Sequence, residues 1–283
     1  MARLKLVLAL FALMILTAGV AGAAYYWQKY VRPQQEVKHQ MAGRAEAKPD
    51  LGRKHYLKAI EYIKEGELIS ARDVLQYMLD IYPESPTIDE AKRVLGEINL
   101  DLMISKIPID GKDEYKVRSG DALVTIAKRY KTTIDYIMRA NAKTTTLIYP
   151  NEDLTVLPLG CDADIDLKNA TLTVKEGERF IKQYNILEHH LPARFPTTVS
   201  TSISEKVAWY EGRSVNFMSP NYFRSQKWIR TGKMGLFILQ HGDEEKMEDD
   251  ANKTYGVMVA KADMDELFTI LRGGSIIRVV AAE

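Results

Sequence analysis

The run Tyr-Lys-Val-Arg-Ser-Gly-Asp-Ala-Leu-Val-Thr-Ile-Ala-Lys-Arg-Tyr, residues 115–130, leaves few folds open to the segment that holds it. It continues through Ile134, Tyr136, Ile137, Met138 and Asn141 to a Tyr149-Pro150-Asn151 turn and the short apolar stretch at residues 154–157. Leu123, Ile126, Ala127 and Tyr130 recur at three- and four-residue spacing, which builds one apolar helical face. Ser119 and Asp121 precede that face, and side-chain oxygens of this kind accept orphan N–H groups at a helix start. The pattern predicts a strand, a Ser/Gly/Asp turn, two short helices and a second strand.

In order and spacing, residues 115–158 resemble the LysM family, with the opening, the central Asn141 and the closing turn all matching. The resemblance implies a βααβ module that binds N-acetylglucosamine-containing glycans, chiefly peptidoglycan or chitin. Sugar would lie in a shallow groove between the first strand–helix loop and the second helix–strand loop. Matching positions are Ser119, Gly120, Asp121, Ala122 and Leu123 on one side, and Ile148, Tyr149, Pro150 and Asn151 on the other. Tyr149 suits stacking on a sugar ring, and Gly120 permits close backbone approach. Asn151 and Glu152 stand where the family commonly has Gly and Gln, and residues 142–147 form a Thr-rich loop.

The N-terminal residues carry a different signal. Arg3 and Lys5 precede an uncharged run at residues 6–24, followed by Tyr25, Tyr26 and Trp27, then Lys29 and Arg32. About twenty apolar residues span a bilayer as a helix, and the aromatic cluster suits its interface. Residues 1–30 are therefore expected to be a membrane anchor, with residues 6–27 in contact with the membrane. A cleaved signal peptide is the alternative, since Ala21-Gly22-Ala23 forms an A-x-A site. Either reading exports the remainder: anchored at the inner membrane facing the periplasm or cell wall, or secreted. Residues 31–50, rich in Gln, Lys, Glu, Ala and Pro, read as a linker.

Residues 51–106 show helical periodicity, broken at Gly66 and at Pro83-Glu84-Ser85-Pro86. A helix pair followed by a further helix resembles a tetratricopeptide hairpin, with part of that family's signature present. One repeat cannot close a groove, so a helical spacer is expected.

The last segment, residues 162–283, reads as β-rich. Alternating runs flank Lys168-Asn169, Gly177 sits in a turn before Phe180, and Glu211-Gly212 suggests a hairpin. Strands are expected at residues 236–239, 257–259 and 275–280, and a helix at residues 262–271. Its opening and its closing helix and strand resemble the L,D-transpeptidase catalytic domain, a sandwich-like fold that crosslinks peptidoglycan stem peptides through a catalytic cysteine. That family carries a His-Gly, a gap, then Ser/Thr-His-Gly-Cys. Here His241-Gly242 supplies the first motif, and Thr254, Tyr255, Gly256 and Val257 stand at the second. Val257 has no nucleophilic atom, and the Tyr255 phenol is a poor base at neutral pH. The resemblance thus implies a retained scaffold with no catalytic residues.

Cys161 is the single cysteine, which excludes an internal disulfide framework, and it is placed at the junction before the first strand. The five histidines lack ligand spacing, so neither metal nor cofactor is expected. A net charge of +1 gives no case for nucleic acid. The chain is read as an α+β multidomain protein: a membrane helix, a helical hairpin spacer, a LysM module at residues 113–159, and a mostly-β L,D-transpeptidase-like sandwich. The expected function is peptidoglycan binding that tethers or scaffolds at the cell wall, with an envelope protein partner left open. The alternative is an active L,D-transpeptidase, or a divergent peptidoglycan-modifying enzyme using non-standard residues.

Overall fold

The computed structural model describes residues 50–242 and 255–280, together with Lys29 and Arg32. The proposed membrane helix, the linker, the acidic stretch at residues 243–250 and Thr254 lie outside the described residues. Among the described residues no helix is long and apolar enough to cross a membrane. The chain divides into two units, Met1–Asp50 and Leu51–Glu283, and every element named below belongs to the second.

Three helices come first: α1 (Leu51–Glu65), α2 (Leu68–Ile81) and α3 (Ile88–Ile104). Gly66, at φ +81°, turns the chain between α1 and α2, a conformation that costs glycine little. Ala59, Ala71 and Ala91 are fully buried between Leu75, Met78 and Leu95, so small side chains let the helices approach closely. The βααβ order read from the sequence follows, as β1 (Asp113–Lys116), α4 (Leu123–Arg129), α5 (Ile134–Ala140) and β2 (Asp153–Val156). β1 and β2 pair antiparallel, with Tyr115 opposite Leu154. The expected cap of α4 is not formed. Ala122 occupies the N-cap position, because the Asp121 carboxylate turns back to the Arg118 amide instead. At α5 the cap is Thr133, whose hydroxyl accepts from the Tyr136 N–H at 2.9 Å.

The remaining strands are β3 (Cys161–Asp166), β4 (Thr171–Glu176), β5 (Arg179–Asn185), β6 (Glu188–His190), β7 (Thr198–Tyr210), β8 (Arg213–Val215), β9 (Gln226–Thr231), β10 (Phe237–Gln240), β11 (Gly256–Val259) and β12 (Ile276–Val280). Helix α6 (Lys261–Ile270) precedes β12. The expected sandwich is in fact one curled ten-stranded sheet, ordered β5-β4-β3-β12-β7-β9-β10-β11-β6, with β8 beside β7. The thirteen-residue strand β7 is the reason. Its first residues pair with β12 and its later ones with β9, and a register shift between Ile203 and Glu205 bends it between the halves.

Cys161 begins β3 rather than preceding it, at 1% exposure. Burial pushes its thiol up to about 12, so it is neither nucleophilic nor ionised at neutral pH. The helices pack on a neighbour as well as on themselves, since α3 lies against β5. The Asn99 amide donates to the Phe180 carbonyl at 3.1 Å and the Ile181 carbonyl at 2.8 Å, and the Phe180 side chain joins the helical core. Gly96 permits this contact, because a Cβ there would meet Lys182 Cγ at 2.8 Å. Tyr136 ties α3 to the βααβ module by donating from its hydroxyl to the Met103 carbonyl at 2.7 Å.

Candidate functional site

The two loops expected to form a groove lie side by side. The Val117 N–H donates to the Glu152 carbonyl at 2.8 Å, and the Asn151 N–H donates to the Val117 carbonyl at 2.8 Å. Asn151 adopts φ +68°, a left-handed conformation that asparagine tolerates where a glycine would be usual. Glu152 also has a structural use. Its carboxylate accepts from Lys143 Nζ at 2.6 Å and from the Tyr149 N–H at 3.0 Å, which fixes the intervening turn.

On the opposite loop, Asp121 Oδ2 accepts from the Tyr115 hydroxyl at 2.6 Å and the Arg118 N–H at 2.8 Å. The Tyr115 hydroxyl, then the Arg118 amide, hold this carboxyl below the usual carboxylate range. Arg129 completes the chain by donating to the Tyr115 hydroxyl at 2.7 Å. Gly120 stands at φ +89° with open space around it. Ser119, Gly120, Ala122, Tyr149, Pro150 and Asn151 are exposed, while Asp121 and Ile148 are half-buried. Tyr149 has 61% of its surface open to solvent. Leu123 is different: it is buried in the core and supports the loop from beneath.

Asn141 is the pin of this module. Its amide donates to the Ile137 carbonyl at 2.7 Å and the Thr155 carbonyl at 3.0 Å, and its Oδ1 accepts from the Thr155 N–H at 2.8 Å. These bonds join the end of α5 to β2. Asn141→Ala is expected to lower unfolding free energy by about 2 kcal/mol. Urea denaturation measures that loss, and an unchanged midpoint would remove Asn141 from this role.

The second set of candidate residues gathers at the other end of the sheet. Val257 is wholly buried in β11, with Ile238 of β10 and His189 of β6 as its Cα partners. Tyr255, 37% exposed, precedes the strand, and its carbonyl accepts from the Phe237 N–H. Gly256 packs so closely on β10 that a Cβ would lie 2.1 Å from the Phe237 carbonyl oxygen. His241 follows β10, anchored by its N–H to the Val259 carbonyl at 2.8 Å, and Gly242 comes next at φ +94°. The His241 ring is part-exposed, with Nε2 3.9 Å from Glu188 Oε2, while His190 Nε2 is 2.8 Å from Glu188 Oε1. The structure thus brings His241 and β11 together at the β10-β11-β6 end of the sheet, and the side chain at position 257 is closed off from solvent.

A third constellation is not legible in the sequence. Asp135 on α5 is buried, and its carboxylate accepts from the Tyr222 hydroxyl at 2.9 and 3.1 Å. Lys206 of β7 and Lys227 of β9 each bring Nζ to 3.9 Å from it. Lys227 is also paired with Asp265 of α6 at 2.9 Å, and Lys206 Nζ lies 4.4 Å from the Phe268 ring centroid. Lys206 donates to the Phe268 and Leu271 carbonyls as well. Burial pushes the Lys206 ammonium down to about 8, against the attraction of Asp135. Burial, then the Asp135 charge, raises the Tyr222 phenol far above its ordinary value. These groups clamp the βααβ module to the sheet. Lysines on strands and one aspartate on a helix carry no spacing signal, because their meeting depends wholly on how the modules dock.

Residues 115–156 match the LysM domain family model. No curated protein matches the chain. Solved structures similar to it include an L,D-transpeptidase from Mycobacterium smegmatis, at 11% identity and a TM-score of 0.29, covering 46% of this chain and 64% of that one. Mycobacterium tuberculosis L,D-transpeptidase 1 gives 11% identity and a TM-score of 0.30, covering 47% of this chain and 67% of that one. An L,D-transpeptidase from Stackebrandtia nassauensis gives 13% identity and 0.31, covering 77% of this chain and 79% of that one. Residues 115–156 are a LysM domain.

Proposed function

We propose, from the LysM domain at residues 115–156, that this is a cell-envelope protein that binds peptidoglycan glycan strands and tethers or scaffolds at the cell wall. The observation that carries the reading is the pair of adjoining loops, hydrogen-bonded through Val117, with the Tyr149 ring exposed beside them. Backbone groups of residues 119–122 and 148–151 that are not paired within the loops read the acetamido group, and Tyr149 stacks on the ring face. One shallow module binds weakly, and an N-terminal anchor at residues 6–27 raises its effective concentration near the wall.

Tyr149→Ala is expected to weaken binding to chitin oligosaccharides about fivefold to tenfold, the worth of one aromatic contact. The melting temperature should stay unchanged, because the ring is exposed. Titration calorimetry with wild type and variant checks this, and equal affinities would move the sugar elsewhere.

The third segment is proposed to be catalytically silent. Acyl transfer through cysteine, the chemistry of the family resembled, needs an accessible thiolate, whereas Val257 is buried and Cys161 is protonated within β3. Incubating the full chain with sacculi tests both parts at once. Co-sedimentation without crosslinked or exchanged muropeptides is the expected result, and turnover by the wild-type chain would overturn the silent reading. The double variant Val257→Cys with Tyr255→His is also expected to yield no product, because its thiol would sit in the closed core. Product from that variant would mean that the cleft opens in solution.

A further inference from the structure

A pocket of about 490 Å³ lies between the LysM domain and strand β7, within the range of small-molecule sites. Neither the glycan loops nor the His241 edge belongs to it. Its charges do not balance locally. Of its two carboxylates, Glu205 is paired with Arg230 at 3.0 Å, and Asp135 is held by Tyr222, Lys206 and Lys227. Of its cations, Lys206 is committed to Asp135 and to carbonyl oxygens. Lys128 has no acidic partner among the described residues. Arg272 uses Nε on the Leu159 carbonyl at 2.7 Å, and its terminal nitrogens have no acceptor among them either. Two cations therefore face the pocket uncompensated, and an anionic ligand is the chemistry that completes it.

The walls narrow the anion's class. Val124, 52% exposed, and the half-buried Phe217 give apolar sides, which a bare inorganic anion would leave wet. Ser214 and Val215 also line the pocket, on β8, which among the described residues pairs only with β7. Such an edge strand offers free backbone donors and acceptors, the groups that pair with an extended peptide. Thr132 lines it too, with a buried hydroxyl that lacks a partner among the described residues.

We propose that this pocket binds a short peptide through its carboxylate, received by Arg272 and Lys128, with the peptide backbone along β8. The site is separate from the glycan loops, so it stands or falls without them. Titration calorimetry on the full chain tests it with three probes: acetyl-Ala-Ala-Leu with a free C-terminal carboxylate, the same peptide as its C-terminal amide, and inorganic phosphate. The carboxylate peptide should bind with one-to-one stoichiometry, and the amide at least about tenfold more weakly, the worth of one charged hydrogen bond. Arg272→Gln should weaken the carboxylate peptide by a similar factor. Lys128→Gln, at an exposed side chain, should also weaken it with no change in melting temperature, which separates binding from folding. Equal affinity for acid and amide, or no binding of either by folded wild type, overturns the proposal. Phosphate binding as tightly as the peptide also overturns it and leaves only a general anion site.

Discussion

Asp135→Ala is expected to lower the unfolding free energy by about 4 kcal/mol, the loss seen when one partner of a buried ion pair is removed. The variant leaves Lys206 and Lys227, whose side chains are 15% and 6% exposed, without the carboxylate that both face. It also strips the Tyr222 hydroxyl of its acceptor, since both of its bonds, at 2.9 and 3.1 Å, run to Asp135. Tyr222→Phe removes only the hydroxyl and should cost about 1 kcal/mol. In the double variant the effects should fall short of their sum, because the groups share one interaction. Denaturant midpoints provide the measurement, and a loss below about 1 kcal/mol for Asp135→Ala would show that the clamp carries little.

The same network sets a pH dependence. Lys206 titrates at about 8 in the folded chain, below its ordinary 10.5, because burial disfavours the ammonium. Between those values the unfolded chain holds more protons than the folded one. Stability from this group therefore rises with pH across that window, as the ammonium that burial penalises is neutralised. Loss of Asp135 removes the one charge that raises the Lys206 value, so its titration should move below 8 in the alanine variant. NMR titration of the lysine side chain reads that shift, and an unmoved value would mean that Asp135 does not act on Lys206.

Gly256→Ala should be comparably disruptive, at about 4 kcal/mol. A Cβ there would lie 2.1 Å from the Phe237 carbonyl oxygen and 2.8 Å from both its carbonyl carbon and its nitrogen. All three are backbone atoms of the adjacent parallel strand, so no side-chain rotation relieves the clash. β11 would have to move away from β10, which opens the core around Val257 and Val259, both fully buried. Gly66→Ala supplies the contrast. Nothing lies within 4 Å of a Cβ at that position, and only its φ of +81° opposes the change, at a cost of about 1 kcal/mol. Thermal melts of the two variants should separate widely, and similar melting temperatures would mean that β10 and β11 yield at little cost.

The strands found from the sequence and those missed differ in a physical way. β11 and β12 stand out as short apolar runs bounded by turn residues; β11 is buried throughout, while β12 alternates, with Ile277 and Val279 inward and Arg278 and Val280 exposed. β6 is Glu-His-His, and the first half of β7 is largely Ser and Thr, so neither announces itself. They become strands because β11 and β12 present backbone edges to them. The sequence marked the two loops as turns flanking the short helices, and the structure sets them side by side, while Leu123, whose helical spacing put it on an apolar face, is buried in the core. The cleft at position 257 was a different matter. The family resemblance implied that Val257 stands at the nucleophile position, while only the pairing of β11 between β10 and β6 showed that its side chain is buried.

Local chemistry written along residues 115–158 was enough to determine the βααβ module: an apolar helical face, turn residues on either side, and Asn141 in reach of both α5 and β2. Each of those signals acts between residues close in the chain. Tertiary structure decided the rest: α3 lying on β5, Asp135 meeting Tyr222, Lys206 and Lys227, and two cations left to face a pocket. These depend on contacts between distant segments. Periodicity states which face of an element is apolar, and only packing states which surface that face will meet.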